Sequence, residues 1–349
     1  MDLSGGDLKH APSQLGEADP ALKRHVAVLV INWNQASLAV RAVRSALAST
    51  GVRVTAVVID NGSRRGAVNE VTRTLVHGTW RADRLRGWSV LYAPKRTDVL
   101  VILAGDNLGF TGANNVGFEV AFAELGTDYC FLLNCDAELA PAALSKLVDA
   151  AEGEPQIGLV GALILDGFDS TESTVSFGRG QLSVTGWPTS LDRGRPRDSV
   201  PSNGVTIAEI VGGAAMLVPR STYETIGGQD DRYFFDVDDT EISLRALRAG
   251  LHNLMVWDAI VKHEMGSSVT GRSALSRYYN VRNLLRLQAD YLEGWQRVAF
   301  LVRMTLRVIR DLTAALLRFE PARALAVLSA VKDHLGGRTG RGPDRIYRP

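Results

Sequence analysis

Residues 25–32 read HVAVLVIN, an unbroken apolar and β-branched run that ends in a polar amide. It lacks the in-and-out alternation of a strand with one wet face, so it predicts a strand covered on both faces, central in a parallel sheet. Outward from it the pattern predicts a helix over 38–48, a second buried strand over 54–59 closing on DNGS, and a helix near 67–76. Residues 80–98, WRADRLRGWSVLYAPKRTD, break that rhythm with Arg, Gly and Pro and read as a surface insertion before a strand over 99–103. The loop AGDNLGFTGANNVG then leads into a helix ending near residue 125, and YCFLLN forms another strand running out at Cys135 and Asp136. Strands alternating with helices, each strand ending in polar residues, predict an α/β doubly wound, mostly parallel sheet with its ligand at the carboxyl edge.

The second half is less regular. IGLVGALIL (157–165) is strand-like, and a Gly, Ser, Thr and Arg-rich segment over 166–203 reads as loop with a hairpin around 174–184. An apolar run, IAEIVGGAAMLVP, precedes GGQDDRYFFDVDDTEISLRALRAG (227–250), where an aromatic and acidic loop opens into an amphipathic helix. Residues 274–335 are largely helical, broken at Pro321. The expected division is a disordered tail over 1–24, a catalytic domain over 25–272, a helical segment over 273–335 and a flexible tail over 336–349. Within the domain over 25–272 the regularity changes near residue 150, which divides it into halves over 25–150 and 151–272.

Composition excludes several classes. With 46% hydrophobic and 22% charged residues in 349, and no Gly or Pro bias, the chain reads as an ordinary folded protein. A formal net charge of +1 does not call for nucleic acid. Cys130 and Cys135 are too few and too close for a disulfide framework or zinc site, and a reducing cytoplasm is the simplest setting. Residues 1–24 lack the basic start and apolar run of a signal peptide, and no uninterrupted apolar stretch suits a membrane span. Neither GxGxxG after the first strand nor a P-loop is present, which argues against a dehydrogenase or an NTPase.

Transfer from a nucleoside diphosphate carrier needs a group that reads the base, a divalent cation on the diphosphate, and a base for the acceptor. Asp60, at the tip of the second strand, suits a ribose or base contact, or else serves its own Asx turn. Asp136 follows a buried strand and suits Mg²⁺ or Mn²⁺, or else caps the next helix. Asp238 and Asp239 open a helix whose dipole they complement. Yet the crowding of Asp230, Asp231, Asp236, Asp238, Asp239 and Glu241 among Tyr233, Phe234 and Phe235 exceeds what a cap needs. A carboxylate there can take a proton from an acceptor hydroxyl. His263, at the end of another strand-like run, is either structural or a further metal ligand.

Together the segments VINWN, VVIDNGS, DNLGFTGANNVG, FLLNCDAEL, VGGAAMLVPR, GGQDDRYFFDVDDTEISLRALRAG, VKHEMGSS and YYNVRNLL resemble the family-two, GT-A type glycosyltransferases, in particular the bacterial rhamnosyltransferase-like and galactofuranosyltransferase-like branch. The resemblance covers residues 26 to about 283. It implies an inverting glycosyltransferase with a C-terminal helical extension, using Mg²⁺ or Mn²⁺ and a nucleoside diphosphate sugar. dTDP-rhamnose is favoured over UDP-sugars, and the acceptor is a glycan or lipid-linked glycan of cell-surface polysaccharide or glycolipid synthesis. It assigns Asp136 and His263 to the metal, and Asp239, with Asp238, to catalysis. Asn32, Asn34, Asp60, Asn107, Gly112, Asn115 and Asn134 fall to the donor nucleotide, and Gly213, Phe235 and Asp236 to the acceptor. Two departures stand out: Asn134 replaces the first Asp of the metal-binding Asp-x-Asp motif, and the usual Glu-Asp pair is Asp238-Asp239.

Between 295 and 317 apolar residues surround Arg297, Arg303, Arg307 and Arg310. Such a helix either lies in an anionic membrane surface, at the inner face of the plasma membrane, or packs on the catalytic domain or in a homodimer interface. Two other functions share the layout. One is a sugar-nucleotide pyrophosphorylase, which needs a Gly and Arg-rich loop where NWNQAS stands; the other is a non-catalytic carbohydrate-binding relative.

Overall fold

The computed structural model describes residues 24–75, 81–85, 87–93, 96–167, 173–264 and 274–346. The strands are β1 (His25–Asn32), β2 (Arg53–Asp60), β3 (Arg81–Leu85), β4 (Trp88–Ala93), β5 (Arg96–Leu103), β6 (Tyr129–Leu133) and β7 (Ala137–Leu139), followed by β8 (Ile157–Asp166), β9 (Val175–Phe177), β10 (Gly180–Leu182), β11 (Pro188–Ser190), β12 (Val205–Ile207), β13 (Ala215–Pro219) and β14 (His252–His263). The helices are α1 (Ala36–Leu47), α2 (Arg65–Leu75), α3 (Gly109–Glu119), α4 (Ala143–Glu152), α5 (Arg220–Ile226), α6 (Asp238–Arg248), α7 (Ala274–Tyr291), α8 (Gly294–Leu317) and α9 (Pro321–Leu335).

One mixed sheet runs in the order β12-β14-β8-β13-β6-β1-β2-β5-β4-β3. Its centre, β6-β1-β2-β5, is parallel, and β13 is inserted antiparallel between β6 and β8. All eight residues of β1 are buried, and successive side chains divide between two cores. Val26, Val28 and Val30 join α1, α2 and α4 on one face, while Ala27, Leu29 and Ile31 join α3 and α6 on the other. That division is why the run is apolar without alternation.

Several sequence expectations give way. The insertion expected over 80–98 is instead the edge of the sheet, with β4 antiparallel to β5 and β3 to β4. An edge needs fewer covered faces, so arginines and glycine among its residues do not break it. The hairpin lies at β10–β11 rather than over 174–184, because Gly186 at φ 71 supplies the left-handed turn between Ser183 and Trp187. Cys135 lies beyond β6, in a turn. The expected N-terminal tail lies outside the described residues except Arg24, which ion-pairs with Asp149 and Glu152. At the other end, residues expected to be a loose tail are packed: Gly342 N–H donates to the Tyr279 hydroxyl, and Ile346 is buried among the C-terminal helices. No helix among the described residues is long and apolar enough to cross a membrane.

Helices α7 to α9 form a third core that includes Tyr233, Phe234, Val237 and Leu244, so they are built onto the loop before α6 rather than hung from the domain. The position of α6 is set from the sheet by Asn253 in β14. Its Oδ1 accepts from Leu159 N–H at 2.9 Å, and its Nδ2 donates to the carbonyls of Ser243 (2.9 Å) and Glu209 (3.1 Å). Asn253→Ala leaves these buried groups unpaired and is expected to lower stability by about 2–4 kcal/mol, read as a shift of the urea midpoint.

Candidate functional site

Two cavities open at the carboxyl end of the central strands, one on each side of residues 234–239. The smaller, about 120 Å³, is lined by Trp33, Asn61, Asn107, Asn134, Asp136 and Phe235 among others. The larger, about 600 Å³, is lined by Asp236, Val237, Asp239 and Thr240 on one side and by α7 and α8 on the other.

In the smaller cavity Asp136 Oδ1 lies 2.9 Å from His263 Nε2, and Asn134 Nδ2 lies 3.4 Å from the same nitrogen. Asp136 follows β6 and His263 ends β14, so strand ends that are distant in sequence bring the pair together. Two adjacent ligands held at about 2.1 Å on an octahedral cation are about 3 Å apart, which is the separation observed here. No group of three His, Cys, Asp or Glu side chains among the described residues could hold a metal, so a cation here would complete its shell with phosphate oxygens and water.

In the larger cavity Asp239 is held from three directions. Its Oδ2 accepts from Gly213 N–H at 3.1 Å, and its Oδ1 accepts from Thr240 N–H at 2.7 Å and from the Thr240 hydroxyl at 3.3 Å. Burial lifts the Asp239 carboxyl above the ordinary carboxylate range, and these donors pull it back. Asp238 is raised as well, by burial and by the charge of Asp239 beside it. Asp236 is pushed up to about 6 by burial, against the pull of the Asn280 amide, whose Nδ2 donates to it at 3.2 Å.

The other residues singled out by sequence lie elsewhere. Asp238 faces away from the cavity and accepts from Gln229 Nε2 at 3.0 Å, while Gln229 Oε1 accepts from Asn114. Asp60 spends its oxygens on Asn32 Nδ2 (2.8 Å) and Ser63 N–H (3.0 Å), so Asn61 rather than Asp60 reaches the cavity wall. Asn32 is fully buried in that contact, and exposed Asn34 braces Ser63 and Arg64. Asn115 is occupied in stapling Gln229 and Asp231 to α3, and Gly112 packs against Leu108 on the same helix, off both cavities. Gly213 serves Asp239: a Cβ there would sit 2.9 Å from Asp239 Cβ. Phe235, expected on the acceptor side, lines the cavity of Asp136, whereas Asp236 lines that of Asp239. The amides of Phe110 and Thr111 at the start of α3 bind the carbonyl of Phe234. Gly109, at φ 79, is required there because a Cβ would meet that oxygen at 2.5 Å.

Sequence reading missed the residues that shape the loop between the cavities. Phe234, Asp236 and Val237 all have φ between 66 and 68, a left-handed backbone that side chains disfavour. Asn283 Nδ2 lies within 2.7 to 2.9 Å of the carbonyls of Tyr233, Phe235 and Asp236, and fully buried Arg282 donates to those of Tyr233 and Gly340. Polar residues inside the otherwise aromatic and apolar stretch YYNVRNLL were the available signal. Trp33, 38% exposed and on the cavity wall, was the corresponding signal in VINWN.

The mixed sheet with flanking helices and cavities at its strand ends has the GT-A glycosyltransferase fold. Residues 27–189, just under half of the chain, match the family model described as Glycosyl transferase family 2. The chain is 29% identical over 234 residues to N-acetylglucosaminyl-diphospho-decaprenol L-rhamnosyltransferase of Mycobacterium tuberculosis, an alignment covering 60% of this chain and 72% of that one. An uncharacterised Mycobacterium bovis protein is 27% identical over 152 residues, 42% of this chain and 50% of its own. Among solved structures, GalNAc-T7 with UDP, GalNAc and Mn²⁺ aligns over 80% of this chain and only half of its own, with TM-score 0.57 and 16% identity. The mannosyltransferase PcManGT from Pyrobaculum calidifontis, with GDP-Man and Mn²⁺, covers 90% of this chain and 87% of its own, with TM-score 0.53 and 13% identity. These two likenesses concern the fold.

Replacing Gly213 by Ala pushes Asp239 off its seat while leaving the sheet intact. The expected result is a roughly 10²-fold loss of turnover with an unchanged unfolding midpoint, as misplacement by an ångström produces.

Proposed function

We propose that this chain transfers rhamnose from a nucleoside diphosphate carrier, dTDP-rhamnose in preference to a UDP-sugar, to a hydroxyl of a lipid-linked glycan diphosphate, with inversion at the anomeric carbon. The observation that carries the reading is the division of labour across one loop: Asp136 and His263 on one side, Asp239 on the other. The rhamnosyltransferase relative, whose name specifies a diphospho-decaprenol acceptor, supports the choice of sugar and acceptor class. The donor occupies the smaller cavity, its base against Trp33 and its diphosphate toward Asp136. A divalent ion, Mn²⁺ or Mg²⁺, held by Asp136 and His263 would neutralise the departing diphosphate.

Asp239 takes the proton from the acceptor hydroxyl as that oxygen attacks the anomeric carbon and the bond to the diphosphate breaks; a single displacement inverts the centre. The Gly213 and Thr240 amides hold the carboxylate in place. Asp239→Asn is expected to lower kcat about 10²–10⁴-fold with donor affinity retained, whereas Asp136→Ala should weaken Mn²⁺-dependent donor binding. Because the Asp239 carboxyl is raised and must be ionised to act, kcat should fall as pH drops through a value above the ordinary carboxylate figure of about 3.9. Near-normal turnover by the Asp239→Asn enzyme would remove the assignment.

The enzyme works from the cytoplasm at the inner face of the plasma membrane, resting on α8. The outward face of that helix presents Trp295, Val298, Val302, Leu306, Ile309 and Leu316, all more than half exposed, at intervals of three, four, four, three and seven residues. Arg303 and Arg307 line the larger cavity, while the apolar stripe is exposed. In liposome flotation with anionic vesicles, full-length protein should float, and a Val302→Glu, Ile309→Glu variant should stay at the bottom; equal flotation excludes α8 as the contact.

A further inference from the structure

The larger cavity carries more positive charge than catalysis by Asp239 requires. Arg277 of α7 and Arg303, Arg307 and Arg310 of α8 all line it, opposite Asp236 and Asp239. Behind them a single buried carboxylate, Asp311, is shared by Arg277 (3.0 Å), Arg310 (3.2 Å) and Arg307 (3.7 Å). Arg303 has the Thr185 hydroxyl at 3.1 Å and the Trp187 ring at 4.8 Å. Arg307 donates to Asn280 and also lies over Trp187, at 5.1 Å. The buried Nε of Arg277 has no hydrogen-bond partner. Four guanidinia around one cavity repel one another; burial and the neighbouring Arg277 hold Arg307 below the usual guanidinium range. An arrangement that costs this much in the free protein is relieved by a bound polyanion, and guanidinium forks match phosphate oxygens in pairs.

We propose that Arg277, Arg303, Arg307 and Arg310 form a subsite for the diphosphate of the lipid-linked acceptor, distinct from the Asp136–His263 side where the donor diphosphate leaves. The inference rests on the reading of the acceptor as a lipid diphosphate and adds how the chain recognises it. The cavity is of ligand size, about 600 Å³, and places an acceptor sugar beside Asp239 with its diphosphate toward α8. Its mouth includes Leu306, 63% exposed, which also belongs to the outward apolar stripe. A lipid tail leaving the arginines therefore passes directly onto the surface that faces the bilayer. Arg303 and Arg310, both exposed, receive the diphosphate, and Arg277 and Arg307, anchored on Asp311, form the floor.

The test is titration calorimetry of the full-length protein with farnesyl diphosphate, farnesyl monophosphate and, in the presence of Mn²⁺, thymidine diphosphate. Wild-type protein is expected to bind the farnesyl diphosphate more tightly than the monophosphate. An Arg303→Gln, Arg310→Gln variant with an unchanged unfolding midpoint should lose about tenfold or more of the farnesyl diphosphate affinity and keep its thymidine diphosphate affinity. An Arg303→Lys, Arg310→Lys variant should recover part of the loss, because charge returns without the fork. Undiminished farnesyl diphosphate binding by the Gln variant overturns the subsite. So does a parallel loss of thymidine diphosphate binding, which would assign the arginines to the donor. These measurements need no sugar transfer. Intact, arginine-dependent binding with no rhamnose transfer to a diphosphate-linked acceptor would sink the proposed function alone.

Discussion

The main chain of residues 232–237 is held from both sides, and the site exists because of that grip. On one side the first amides of α3 bind the Phe234 carbonyl; on the other, Asn283 and Arg282 of α7 gather the carbonyls of Tyr233, Phe235 and Asp236. Left-handed backbone at three non-glycine residues costs on the order of 1–3 kcal/mol each, and it persists only where surrounding bonds over-determine it. The twist turns Phe234 and Phe235 toward one cavity and Asp236 and Asp239 toward the other.

Electrostatics then distributes the roles. Three carboxylates within four residues, at 236, 238 and 239, cannot all be charged in partly dry surroundings, and the structure separates them by environment. Asp238 faces the interior and an amide, Asp236 faces Asn280 with Arg307 beyond it, and Asp239 sits on two backbone amides with access to the cavity. Burial raises all three, the charge of Asp239 raises Asp236 and Asp238 further, and the Gly213 and Thr240 donors pull Asp239 back. The opposing wall of arginines belongs to the same balance, because α8 faces the carboxylates with its basic side and exposes its apolar side.

Much of the fold was legible. HVAVLVIN announced a strand buried on both faces, and the positions of α1, α2, α3 and α6 followed from periodicity to within a few residues. What failed were places where a pattern meets an edge or a distant partner. WSVLYA forms the next-to-last strand at one margin of the sheet despite the Arg and Gly around it, and Gly342 and Ile346 look like tail residues until α7 supplies a pocket for them. Of the site, Asp136, His263, Asn134 and Asp239 could be named as chemistry-bearing residues at strand and helix ends. Asn115, Asn32, Asp60 and Gly213 were equally visible, but the structure gives them to loop bracing and to the seating of other side chains.

By itself the sequence determined the sheet, its carboxyl edge and the residue types gathered there, because apolar periodicity and strand-end polarity are local and write themselves into short stretches of chain. Only the tertiary structure decided which carboxylate faces a cavity, that residues 234–237 divide two cavities rather than wall one, and that three arginines of α8 line the larger of them. Those outcomes depend on contacts across more than forty residues, such as Asn283 with Phe235, Arg307 over Trp187 and His263 beside Asp136. Side-chain direction in such contacts is set by the partner rather than by sequence neighbours, and a polar residue in isolation carries no mark of whether it will touch a ligand or hold the residue that does.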